Sequence, residues 1–168
     1  DYLVIDLRGN GGGSFPAMLR TLSAFQCRPK RIGTLYQQAF GKTAEEENLS
    51  DELAADAQIA QLETVAALHL TTFQGYPCFS GEAIVLIDSD TSSVAEIFAD
   101  SFLDRTHAQV WGLPSAGQVV MARWFPLTAL GRGDYSLSIP IAGYRNRRGV
   151  EIEDLGVSPE RLLHYELK

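Results

Sequence analysis

The sequence predicts an α/β domain, and three observations carry that prediction. Residues 2–7 (Tyr-Leu-Val-Ile-Asp-Leu) read as a mostly buried strand, followed by the glycine loop Arg8-Gly-Asn-Gly-Gly-Gly-Ser14 and then by helical spacing. Ala83-Ile-Val-Leu-Ile87 is a second short apolar run. After five small hydroxyl or carboxylate residues, Ser89 to Ser93, it gives way to Val94, Ala95, Phe98, Ala99, Phe102 and Leu103 at spacings of three and four. Segments 119–125 and 135–141 alternate as strands do. Strands and helices mixed in this order indicate an α/β domain. With 168 residues, 45% of them apolar, one domain with a real core (1–168) is expected.

Each element follows from local pattern. In 15–25, Ala17, Met18, Leu22 and Phe25 share a helical face, and Pro16 suits a first turn. Arg28-Pro-Lys-Arg31 is a basic turn, and 32–40 is a strand or hairpin arm. Residues 42–50, with Glu45, Glu46 and Glu47, read as a solvated loop. Residues 51 to about 70 are rich in Ala, Leu, Gln and Glu and predict an amphipathic covering helix. Together 42–70 form an acidic, helical insert. Gly75, Pro77 and Gly81 mark a turn-rich connector into the central strand, and Gln109-Val-Trp-Gly112 is a short strand. Residues 114–118 form a loop, Arg145, Arg147 and Arg148 a basic turn, and 150–159 an irregular segment before the closing residues 160–163.

Composition excludes several function classes. The net charge of −7, from 14 basic and 21 acidic residues, argues against a nucleic-acid-binding face. No apolar run approaches the roughly 20 residues of a membrane span, and none resembles a signal segment. The chain opens without Met, already inside a strand, so a C-terminal piece of a longer protein is expected. Cys27 and Cys78 fit two thiols or one disulfide, and no metal-ligand spacing is present.

The glycine loop fails the dinucleotide fingerprint, because Ser14 stands where the last glycine belongs. Gly41-Lys-Thr43 fails as a phosphate loop, because Tyr36 occupies the first glycine position. Free N–H groups in the glycine loop can instead form an oxyanion hole. Ser93 has two readings. It can cap the following helix, with Glu96 three residues on completing a capping box, or it can be a nucleophile at a strand-to-helix corner.

Asp6-Leu-Arg-Gly-Asn-Gly-Gly-Gly13 resembles the Asp-Leu-Arg-x-Asn-x-Gly-Gly motif of tail-specific, or C-terminal-processing, serine peptidases. Thr91-Ser-Ser-Val-Ala-Glu96 resembles their nucleophile motif, in which Ser93 is the attacking serine. The similarity continues through Ile97-Phe-Ala, Trp111-Gly-Leu-Pro-Ser-Ala-Gly117 and Gly149-Val-Glu-Ile-Glu-Asp-Leu-Gly-Val-Ser-Pro159, with Glu160 where the family has Asp. The resemblance implies a crotonase-like α/β spiral, an extracytoplasmic (periplasmic or secreted) location, a peptide or protein substrate and no cofactor or metal.

One departure matters. Family members carry a catalytic lysine 25 residues after the nucleophile, where this chain has Gln118. Its lysines, Lys30, Lys42 and Lys168, all lie elsewhere, and glutamine cannot take the serine proton. His107 is 14 residues beyond Ser93, past a helix that separates them by roughly 15 Å. His69 and His164 sit in the insert and the closing segment. A branch resembling the tricorn core protease uses Ser, His and Glu, with the histidine from an earlier part of the chain. Glu153 matches that branch's glutamate, and Glu151 less well.

The resulting expectation is a serine peptidase domain. Ser93 is the nucleophile, Gly12 or Gly13 together with Val94 offers oxyanion N–H groups, Gln118 positions substrate or water, and Glu153 orients an outside histidine. The alternative is a non-catalytic binding module on the same fold, as in interphotoreceptor retinoid-binding protein, which resembles this family.

Overall fold

The computed structural model describes residues 1–37, 46–49, 55–103, 105–127 and 135–163. Two sheets organise it. The first is all parallel, in the order β1-β5-β6-β9, formed by β1 (Tyr2–Asp6), β5 (Glu82–Ile87), β6 (Ala108–Gly112) and β9 (Arg161–Leu162). Its central strands bury Ala83, Val85, Ile87 and Val110 on the face that meets the helices. Helix α1 (Phe15–Ser23) packs Phe15, Met18, Leu19 and Leu22 into that core. The N-cap of α1 is Ser14, whose Oγ accepts the Ala17 N–H at 3.4 Å, and Pro16 occupies its first turn as predicted.

The second sheet has the order β3-β4-β2-β8-β7. It contains β2 (Arg31–Tyr36), β3 (Glu46–Asn48), β4 (Ala67–Thr71), β7 (Met121–Pro126) and β8 (Ser136–Asn146). Only β3 and β4 run parallel; β4-β2-β8-β7 is antiparallel. Strand β8 does two jobs. Gly143 to Asn146 pair with β2, and among the described residues Ser136 to Pro140 pair only with β7, in a ribbon exposed on both faces. Tyr144 is buried against Gly33 of β2, and burial together with the Asp100 charge pushes its phenol pKa up.

The fold is therefore a mixed parallel and antiparallel two-sheet arrangement with few short helices, not the expected crotonase-like α/β spiral. A spiral requires a helix between successive strands. Among the described residues there are three helices, α1, α2 (Ala55–Thr64) and α3 (Val94–Asp100), and α3 has only seven residues. No described helix separates β6 from β7 or β8 from β9. The period-two alternation of the second half reflects antiparallel pairing with one or both faces open to solvent.

The 42–70 segment also differs in detail. Residues 42–45 and 50–54 lie outside the described residues, as does His164. The helix predicted to about 70 stops at Thr64, because Leu68 and Leu70 alternate with His69 and Thr71 and become the buried positions of β4. Cys27 and Cys78 are joined as a disulfide with Cα atoms 5.0 Å apart, tying the end of α1 to the connector before β5.

Candidate active site

The stretch between β5 and α3 is fixed by long-range bonds. Asp88 Oδ1 accepts the Gly9 N–H (2.9 Å) and the Asp90 N–H (3.1 Å), and it lies 3.1 Å from the Thr91 hydroxyl. Burial pushes the Asp88 carboxyl up. The N–H groups of Gly9, Asp90 and Thr91 and the Thr91 hydroxyl outweigh that effect, leaving it below its ordinary value. Fully buried Thr91 reaches the Leu7 carbonyl at 2.9 Å, and the Ser92 N–H donates to the Asn10 carbonyl at 3.0 Å. These bonds dock the serine turn on the glycine loop. Beside it, Arg8 pairs with Asp6 through its side chain at 2.8 and 2.6 Å and through its backbone N–H at 3.1 Å.

Ser93 sits on the corner itself, with φ 61° and ψ −130°. A non-glycine residue with that backbone carries strain on the order of 1–3 kcal/mol and persists only where its surroundings hold it. Here they do. The Ser93 N–H is shared between the Gln118 carbonyl (2.8 Å) and Glu96 Oε2 (2.9 Å). Gly12 makes room: a Cβ there would stand 2.6 Å from Ser93 Cβ and 2.9 Å from Ser93 Oγ. The Gly12 N–H donates to Asn10 Oδ1 at 2.9 Å.

Glu96 does more than complete a cap. It is fully buried, and four donors converge on its carboxylate: Ser93 N–H (2.9 Å), Ser115 Oγ–H (2.6 Å), Gly117 N–H (2.6 Å) and Gln118 N–H (2.9 Å). Four is the acceptor capacity of a carboxylate. One side chain thus fixes both the serine corner and the 115–118 loop. The signal for Asp88 and Thr91 was legible as an Asx-type turn, but their partners on the glycine loop are some 80 residues away in sequence, as in the separation of 79 for Asp88 and Gly9.

Gln118 follows with an exposed side chain beside Ser93. Glu153 Oε2 accepts the Val119 and Val120 N–H groups at 2.6 and 3.0 Å, and the Asp154 N–H meets the Gly117 carbonyl at 2.8 Å. Ser93, Val94, Gly13, Gln118 and Glu153 share one open groove of about 960 Å³ that runs on to Trp124. Glu151 lies elsewhere, accepting from the Tyr36 hydroxyl (2.7 Å) and from Arg145 (2.9 Å) in the second sheet.

No lysine or histidine is among the described residues lining this groove. His69 lies between Thr34 (3.2 Å) and Glu46 (3.0 Å), and His107 faces a separate cavity beside Phe79. The Lys30 pKa is lowered by burial and by Arg147 and Arg105.

A serine hydroxyl on a strained strand-to-helix corner, faced by a glycine loop, is the arrangement that serine hydrolases use. The chain belongs to peptidase family S41, whose profile matches residues 1–162. It is 24% identical over 166 residues to the chloroplastic C-terminal processing peptidase of Tetradesmus obliquus, covering 98% of this chain and 29% of that protein. Its fold is shared with the photosystem II D1 C-terminal processing protease (TM-score 0.63, 21% identity, 96% of this chain and 34% of that one). It is shared equally with mature CPAF (TM-score 0.65, 19% identity, 96% and 39%). The chain therefore spans about a third of the length of these relatives.

Proposed function

We propose that this chain carries the nucleophile side of a serine peptidase site that hydrolyses peptide bonds by acyl transfer. Ser93 Oγ attacks the scissile carbonyl, and the Gly13 and Val94 N–H groups hold the oxyanion, since the Gly12 N–H is bonded to Asn10. Gln118 positions substrate or water. Glu153 orients a histidine supplied from outside these residues, which acts as the base. The observation that carries this reading is the Ser93 corner, bonded through its N–H to Gln118 and Glu96 and opening on the groove. An extracytoplasmic location accords with the Cys27–Cys78 disulfide, which persists in an oxidising compartment; periplasmic or secreted is the finer reading.

Serine-directed fluorophosphonate labelling of the longer protein tests it. Labelling at Ser93 that is suppressed at low pH and lost in Ser93→Ala is expected, with the 168-residue chain alone inert toward peptides. The groove's lack of lysine and histidine among the described residues favours a second reading, a non-catalytic peptide-binding module. Absence of labelling at every pH selects that reading.

A further inference from the structure

A cavity of about 260 Å³ lies at the other end of the parallel sheet from the serine corner. Ala83 and Ala108, near the starts of β5 and β6, form part of its wall, and the rings of Phe25, Phe79 and Phe102 form much of the rest. Ser93 follows the opposite end of β5, a strand about 17 Å long, and the two cavities share no lining residue.

Arg105 lines this cavity without a counter-charge. It forms no ion pair among the described residues. Its Nη2 donates to the Phe25 carbonyl, its guanidinium stands 4.9 Å from the centre of the Phe102 ring, and its Nη1 is buried with no hydrogen-bond partner among the described residues. Burial lowers the Arg105 pKa. Lys30, itself lowered by burial, is lowered further by the charges of Arg147 and Arg105. No carboxylate is among the described residues of the lining. Glu82 precedes the wall residue Ala83, but strand alternation points it to the opposite face of the sheet. A half-buried charge left unpaired is costly, and an anion in the cavity supplies what the chain does not.

The lining also defines the rest of the ligand. Phe25 meets Phe79 and Phe102 edge-on, at 5.8 and 5.2 Å, a cluster that a further ring extends. A planar guanidinium matches a carboxylate, and the hydroxyls of Ser80 and Thr106 add donors. A phosphate dianion would bring a second charge that the single arginine does not answer. The volume falls at the small end of ligand cavities, which begin near about 300 Å³, so a compact free acid fits better than a chain. We infer that this cavity binds a small aromatic monocarboxylate, with its carboxylate against Arg105 and its ring among Phe25, Phe79 and Phe102. This site is separate from the Ser93 groove and does not depend on the peptidase reading.

The 168-residue chain is titrated with phenylacetate in chloride-free buffer at fixed ionic strength, and two-dimensional NMR follows the backbone amides. Saturable shifts centred on Phe79, Arg105, Thr106 and His107 are expected, with a Kd on the order of 0.1–1 mM. Uncharged phenylacetamide, acetate and inorganic phosphate should each bind about tenfold more weakly or worse. Arg105→Gln should weaken phenylacetate by about tenfold and leave phenylacetamide unchanged, whereas Arg105→Lys keeps the preference for the acid. A merely structural role for Arg105 would weaken acid and amide alike, which overturns the inference. Circular dichroism checks the fold of Arg105→Gln, since it gives up the Phe25 bond; if it is unfolded, Arg105→Lys and the acid-to-amide ratio of the unaltered chain decide. Equal affinity for acid and amide, tighter binding of phosphate, shifts centred on the Ser93 groove, or no saturable shift also overturns it. Fluorophosphonate labelling of Ser93 bears on none of these outcomes, so either reading can fail alone.

Discussion

Glu96 is the residue on which the site's geometry depends. It is fully buried with four donors on two oxygens, so replacing it by glutamine turns an acceptor into an NH2 group aimed at donors. Glu96→Gln should cost about 2 kcal/mol, read as a lower urea midpoint with unchanged slope, and should slow Ser93 labelling. Asp6 gives a pH prediction. The Arg8 side-chain hydrogen bonds hold its carboxyl down at about 2 against slight burial, with the Arg8 N–H and charge adding to the effect. A depressed carboxylate stabilises the fold fully above its unfolded value of about 3.9 and loses that contribution as pH falls toward 2, and on this exposed pair the effect is small. Carboxyl NMR should find the Asp6 midpoint near 2, and Arg8→Gln should return it toward about 3.9. At this scale Ser93, Gln118 and the glycine loop were singled out by motifs that resemble the family's, and they line one groove. The Glu96 bond to Ser93 was legible as a capping box, whereas the bonds of Glu96 to the 115–118 loop and of Asp88 to Gly9 were not, because tertiary folding brings those partners up.

At the scale of elements, the disulfide closes a 51-residue separation between the end of α1 and the connector into β5. Loop-closure entropy for that length corresponds to about 4 kcal/mol. The link lies beside an aromatic cluster in which Phe25 meets Phe79 at 5.8 Å and Phe102 at 5.2 Å, so the two ends are also held by packing. The Cys27→Ser, Cys78→Ser double variant should therefore lose about 2–4 kcal/mol in urea unfolding yet keep native circular dichroism. The element patterns that read correctly, such as α1 with Pro16 in its first turn, were those whose apolar spacing and turn residue agreed. The segment that misled was 65–71, where an Ala/Leu-rich composition favoured helix. Position between β2 and β3 decided for strand, a tertiary override of propensity.

At the scale of the molecule, the two sheets divide the work: the parallel one presents Ser93, and the antiparallel one extends the groove. That division was hidden in the sequence because strand order and direction depend on which distant segments pair, and period-two alternation is the same for both. Parallel sheets are ordinarily covered on both faces. Here α1 and α3 pack against one face. The register aligns Val4 with Ile84, Asp6 with Leu86 and Leu86 with Trp111 on the other. Tyr2 is 82% and Val4 58% exposed on that face, Ile84, Leu86 and Trp111 are half-buried, and Arg161 lies over the Trp111 ring at 4.7 Å. A contiguous apolar face of this kind binds hydrophobic dyes. The 168-residue chain should accordingly enhance ANS fluorescence while giving a cooperative urea transition. The Tyr2→Thr, Val4→Thr double variant should lower the dye signal and shift stability by no more than about 0.5 kcal/mol, since those side chains contribute little burial. A fall of several kcal/mol would mean that this face is packed rather than open.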